Sequence, residues 1–234
     1  MRLQNFGVFL GVFAFVASVS SANAVTVSIG LSDGSSPGLI NSGNNSLITA
    51  TGSFNGFDYS VTAQGNPPAI SPLQLDSTTL DVRRSLEETS TGTLDVYITV
   101  SNISSLSGIQ NLLSGFTVLT SNASQLALST YLDTNNTVFQ TSGLGVFSIG
   151  SFGPLGPTGL LTDLDSALAT ISGDISFTAL YHIVTGAAGQ SANAAINVSA
   201  VPGPIAGVGL PGLVMALASL VALARRRRQT ASFA

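Results

Sequence analysis

Leu94-Asp95-Val96-Tyr97-Ile98-Thr99-Val100-Ser101 alternates apolar and polar side chains at every step. In an extended chain successive side chains point to opposite faces, so Leu94, Val96, Ile98 and Val100 share one face and Asp95, Tyr97, Thr99 and Ser101 the other. That is a strand with one face for a core. Ile175, Phe177, Ala179, Tyr181 and Ile183 form a second such stripe, Val25, Val27 and Ile29 a third, and Phe57, Tyr59 and Val61 a fourth. Further candidate strands are Ser46 to Gly52, Leu73 to Val82, Phe116 to Thr120, Thr137 to Thr141, Leu144 to Ile149 and Ala194 to Ala200. Clusters such as Ser35-Ser36-Pro37-Gly38 and Gln64-Gly65-Asn66-Pro67-Pro68 separate them as turns. Many short strands with turns between them predict an all-β fold, a β-sandwich or jelly roll.

Helix is expected to be sparse. Ser107 to Leu113 and Thr162 to Ala169 are the candidate short helices, the second with Thr162 as N-cap and Asp163 and Asp165 in its first turn. Gly150 to Gly159 holds two prolines and four glycines and is expected to be loop, and Gly186 to Asn193 to form the last turn.

Outside this region lie two apolar stretches. Arg2 precedes an apolar run from Phe6 to Val19, then Ala22-Asn23-Ala24, an Ala-X-Ala site. Residues 1–24 thus read as a secretory signal peptide cut by signal peptidase, with Val25 first in the mature chain. Toward the other end, Val201-Pro202-Gly203-Pro204 leads into an uncharged apolar run from Ile205 to Ala224, closed by Arg225, Arg226, Arg227 and Arg228. As a helix that run spans about 30 Å, the thickness of a hydrocarbon core. The positive-inside rule places the arginines in the cytoplasm as a stop-transfer signal and the domain at residues 25–200 outside.

The order of a Pro-X-Pro element, one hydrophobic helix and a basic cluster over residues 201–234 resembles the PEP-CTERM sorting signal of bacterial proteins associated with exopolysaccharide. Here Gly203 stands where glutamate is usual, which makes it similar to the Val-Pro-Gly-Pro-Ile-Ala-Gly variant. The resemblance implies an exosortase as partner, a membrane-embedded cysteine protease or transpeptidase acting near Val201 to Pro204. It also implies an inner-membrane precursor that becomes a cell-surface or extracellular protein of exopolysaccharide or biofilm.

Composition narrows what the exported domain does. All eleven acids and two of the seven arginines, Arg83 and Arg84, lie in it, a net charge of −9 that the whole-chain value of −4 conceals. Such a surface repels nucleic acid, whose binding needs clustered Lys or Arg. With no cysteine there are no disulfides, no thiolate nucleophile and no Cys-ligated zinc. His182, the one histidine, reads as a surface or hydrogen-bonded strand residue. The pairs Asp163/Asp165, Asp76/Asp81 and Glu87/Glu88 are the candidate carboxylates for a glycosidase. Asp163-Leu164-Asp165 and Asp133-Thr134-Asn135 carry the first two ligand positions of a calcium loop without the rest of the pattern. Gly207 to Gly212 matches G-X-G-X-X-G, but inside an apolar run with Pro211 lacking an N–H it is no dinucleotide site. The expectation is a noncatalytic surface or matrix protein with no cofactor and no metal site. The alternatives are a polysaccharide-binding module, disfavoured by the lack of tryptophan, and a secreted carbohydrate-active enzyme.

Overall fold

The computed structural model describes residues 25–44, 47–65 and 73–202. Over these residues the chain is all-β, with two antiparallel six-stranded sheets packed as a sandwich. The first sheet has the order β2 (Gly38–Asn44), β1 (Thr26–Ser32), β6 (Gly92–Ile103), β11 (Ile175–Thr185), β8 (Gln125–Asp133), β9 (Val146–Leu155). The second runs β3 (Leu47–Phe54), β4 (Phe57–Gly65), β5 (Leu73–Arg84), β12 (Ser191–Pro202), β7 (Gly108–Ser121), β10 (Leu161–Ile171). Facing strands are β2 and β3, β1 and β4, β6 and β5, β11 and β12, β8 and β7, β9 and β10. The last eight strands follow the jelly-roll order, 5-12-7-10 laid over 6-11-8-9, and β1 to β4 widen both sheets on one side.

The alternating stripes make the core. Leu94, Val96, Ile98 and Val100 are fully buried, as are Ile175, Phe177, Ala179, Tyr181 and Ile183 on the neighbouring strand. Val27, Ile29, Phe57 and Val61 extend the same layer, and Ala192, Ala194, Ile196 and Val198 of β12 close it from the opposite sheet. Within it the Tyr181 hydroxyl meets Ser77 Oγ, a bond between the two sheets, and burial holds the phenol above its ordinary pKa.

Three local expectations are corrected. Ser107–Leu113 and Thr162–Ala169 are not helices but parts of β7 and β10, paired with each other from Gly108↔Ile171 to Val118↔Leu161. Leu160, Leu164 and Leu168 recur every four residues, which places them on one side of a helix but equally on one side of a strand. In β10 Leu164 and Leu168 face outward and are exposed, as is Leu160 just ahead of the strand, while Ala167 and Ala169 face the core. Gly150 to Leu155 is strand rather than loop, because β9 lies at a sheet edge where proline removes no needed donor, with register shifts opposite Thr130/Tyr131 and Leu126/Leu128. Thr137–Thr141 is not a strand but part of the connection Thr134–Gly145 between β8 and β9.

Candidate functional site

The outer face of the first sheet collects the polar halves of the alternating strands. Across β1, β6, β11 and β8 the rungs read Ser32, Asp95, His182, Ala127; then Gly30, Tyr97, Leu180, Ser129; then Ser28, Thr99, Thr178, Tyr131. Antiparallel pairing brings directly opposite side chains within about 5 Å of each other. Asp95 and His182, 87 residues apart in sequence, therefore meet: His182 Nδ1 lies 2.6 Å from Asp95 Oδ1. The hydroxyls of Thr99 and Thr178 bond at 2.8 Å on the next polar rung but one.

This face is not left bare. The connection Thr134–Gly145 folds over it and sets Phe139 against Tyr97, with ring centroids 6.0 Å apart at 59°. Phe139 N donates to Thr99 Oγ1 at 3.0 Å. The ring also lies on Gly30, where an added Cβ would sit 2.7 Å from it. A larger residue at position 30 would displace Phe139. Asp133, 1% exposed, anchors the connection by accepting from Asn135 N at 2.8 Å and Thr137 N at 2.9 Å. Asn102 and Asn136, both at positive φ, clasp each other: Asn102 N donates to Asn136 Oδ1 at 2.7 Å and Asn136 Nδ2 to Asn102 Oδ1 at 2.8 Å. What stays open to solvent is a shelf of Tyr97, Leu180, Tyr131 and His182, each partly exposed.

The Asp95 hydrogen bond raises the His182 pKa above 6.5 against the opposing effect of burial, and the Asp95 charge adds to it. The Tyr97 phenol is raised by burial first, then by the charge of Asp95 and by Tyr131. Because the folded pKa of His182 is raised, the pair stabilises the fold fully below the unfolded value of about 6.5 and ceases to do so as pH climbs through the folded pKa. With one histidine in the chain, a proton NMR titration reports this ring alone. Its midpoint is expected above 6.5 and to fall in Asp95→Asn. A wild-type midpoint at or below 6.5 would mean that the pair does not form in solution.

A second depression, about 530 Å³ in volume, lies on the other sheet between Asp58, Tyr59, Ser60, Asp81, Arg83, Gly189 and Ser191. Arg84 is a structural cation by contrast: it is 4% exposed, lies 4.6 Å above the Phe57 ring, donates to Asn55 O at 2.7 Å and pairs with Glu88 at 3.2 Å.

The candidate carboxylate pairs sit in different settings. Asp76 is opposite Asn197 and Asp81 opposite Asn193, four residues apart on β12. At about 3.3 Å per residue that is roughly 13 Å, beyond the 5 to 9.5 Å that glycosidases use. Glu88 is held by Arg84 while Glu87 is exposed. Asp163 and Asp165 share the inner side of β10 two residues apart, roughly 7 Å and so within the range glycosidases use; Asp165 accepts from Ser151 N at 2.9 Å and Asp163 from Leu164 N at 2.9 Å. Both carboxylate oxygens of Asp133 hold amides, so the second calcium-like triplet is a turn anchor. Among the described residues no three acidic or histidine side chains converge in a way that could hold a metal ion.

Of the sorting residues, Val201 and Pro202 are the last two of β12, opposite Asn111 and Gln110 of β7. Val25, the expected mature N-terminus, is buried just ahead of β1. Ala22, Ala24, Gly203, Pro204, the apolar run and Arg225 to Arg228 lie outside the described residues, and among those described no helix is long and apolar enough to cross a membrane.

No protein-family model matches the chain, and no curated protein does. Solved structures match at low similarity. The enzymatically active domain of tailspike protein 4 from bacteriophage CBA120 aligns at 12% identity and TM-score 0.32 over 67% of this chain, which spans 19% of that one. A carbohydrate binding module from Cellvibrio mixtus lichenase 5A, in complex with cellotriose, aligns at 12% identity and TM-score 0.31, covering 68% of this chain and 98% of that one. A structure of infectious bursal disease virus, Gx strain, aligns at 12% identity and TM-score 0.26, covering 87% and 55%. Overlaps this loose carry nothing about ligand or activity.

Proposed function

We propose that this is an exported, noncatalytic surface or extracellular-matrix protein, made as an inner-membrane precursor and sorted by an exosortase through Val201 to Pro204. The observation that carries this reading is that β12 is paired as far as Val201 and Pro202, the first residues of the signal. β12 is a central strand of its sheet, and its last residue is Pro202. Cleavage at or after Pro202 would release the sandwich whole, whereas a cut before Ala194 would strip β12 of most of its rungs with β7 and β5. The Pro-X-Pro element thus begins in paired strand, and its prolines disfavour regular helix, which suits recognition by a protease.

The test is the intact mass and C-terminal peptide of the protein from cell-surface and culture fractions of its native host. A species beginning at Val25 and ending between Pro202 and Pro204, with or without an added acceptor, is the expected result. Retention of Arg225 to Arg228 on protein found only in membranes would overturn the reading and leave a plain single-span anchor.

A second reading is a polysaccharide-binding module, and the shelf on the first sheet is the feature that favours it. Tyr97 and Tyr131 offer ring faces, and Asp95 with His182 offers hydrogen-bond groups to sugar hydroxyls. On this reading Tyr97→Ala and Tyr131→Ala each lower retention on the host's exopolysaccharide in affinity electrophoresis, and unchanged retention would set it aside.

A further inference from the structure

We infer that, in the precursor, the sandwich stands end-on upon the membrane, with one pole of the barrel-like stack of strands in contact with lipid headgroups. The inference rests on the proposed span Ile205 to Ala224 and adds to it an orientation and a contact surface.

Both ends of the domain leave from the same pole. Thr26, the first residue of β1, is opposite Ser101 near the end of β6, and Ile103 of β6 is opposite Ile175 at the start of β11. Val201 and Pro202 end β12 beside Asn111 and Gln110 near the start of β7, where Leu168 and Ala169 of β10 lie across. This pole also carries the β6–β7, β8–β9 and β10–β11 connections. Pro202 is three residues from Ile205, a reach of at most about 10 Å, and a headgroup layer is about 5 to 8 Å deep. A helix inserted from Ile205 therefore holds this pole at the lipid surface.

The pole is chemically suited to that position. It exposes Leu47, Ile109, Leu144, Phe147, Leu168 and Val201, with Leu144 95% accessible in the β8–β9 connection. Leu168 and Val201 flank Asn111 on one rung, so two exposed apolar side chains lie close to the point where the chain departs. Exposed apolar side chains do not separate the poles, since Leu39, Ile40, Leu86, Leu119, Leu160 and Leu161 are exposed toward the far one, but charge does. Asp33, Asp58, Asp81, Glu87, Glu88 and Asp95, with Arg83 and Arg84, lie toward the far pole. Toward the near pole the described carboxylates are Asp76, Asp133 and Asp174, and Asp133 is buried under its two amides. Acidic side chains are repelled by anionic headgroups, whereas exposed leucines gain by entering the interface.

Because the chain has no cysteine, single-cysteine variants can carry an environment-sensitive fluorophore at one chosen site. The full chain would be reconstituted in phosphatidylcholine–phosphatidylglycerol vesicles as Leu144→Cys, Leu86→Cys at the far pole, and Val214→Cys within the apolar run. With Val214 quenched by deep nitroxide lipid, the expected result is shallow-lipid quenching at position 144 at least about twofold above that at 86. Ile109→Cys gives an independent reading at the same pole. Quenching at 214 with 144 and 109 no different from 86 overturns the end-on contact and leaves the span intact. Absence of quenching at 214 overturns the span and the contact together.

Discussion

Tyr181→Ala is expected to lose about 3 to 5 kcal/mol of unfolding free energy, the cost of deleting a buried aromatic ring. Tyr181 is completely buried in the stripe of β11 that faces the second sheet, among the largest side chains of the core. A domain of this size has about 5 to 15 kcal/mol in total, so the alanine variant would lose a large part of its stability. Tyr181→Phe keeps the ring and deletes only the hydroxyl, which leaves Ser77 Oγ without its partner across the sheets. A buried polar group so orphaned costs about 1 to 3 kcal/mol. Urea unfolding of the three proteins separates the two contributions. If Tyr181→Phe unfolds at the wild-type midpoint, the bond between the sheets is absent in solution and the ring alone matters.

That pair also marks how far a sequence can be read. Alternation located the inward face of β11, because burial on one side of a strand leaves a period of two in the residues themselves. It did not reveal Ser77, 104 residues away, since a serine that completes a core hydrogen bond looks like any serine on a polar face. Asp95 and His182 were each placed on the outward side of their strands, and only the pairing of β6 with β11 in this register brings them together. The misread elements have a common cause. In β10 the leucines occupy even spacing on the exposed side and alanines the buried side, so the hydrophobic signal reports the wrong face and a period that helix and strand share. The stretch with Gly153 and Pro154 read as loop because edge position, which makes proline tolerable in a strand, is a property of the sheet order and not of the residues. The cover over Tyr97 was likewise invisible: Phe139 looked like a strand residue, and its resting place is a glycine more than a hundred residues earlier.

That cover is the subject of the second large effect. Asp133→Ala is expected to cost about 2 to 4 kcal/mol, because a buried carboxylate accepting two amides contributes about 1.5 to 3 kcal/mol per charge-assisted bond and part of the loss is recovered as the freed amides meet water. Asn135 and Thr137 lose their acceptor, and the turn that aims the Thr134–Gly145 connection back across the sheet loses its anchor. The Asn102–Asn136 clasp and the Phe139 contact depend on that turn, and Phe139 is held at positive φ, a conformation that a bulky side chain leaves once packing no longer imposes it. The consequence reaches the candidate site. With Phe139 lifted, Tyr97 and Thr99 become accessible, and their strand should exchange amide protons faster together with residues 134–145, while β12 and β7 keep their protection. Asp133→Asn retains one carbonyl acceptor and should cost about half as much. Phe139→Ala removes the cover without touching the anchor, so it tests the exposure of Tyr97 even if Asp133→Ala does not fold. Unchanged exchange at Thr99 in both Asp133→Ala and Phe139→Ala would show that the connection does not shield this face, and the shelf of Tyr97, Leu180 and Tyr131 would then be open along its whole length.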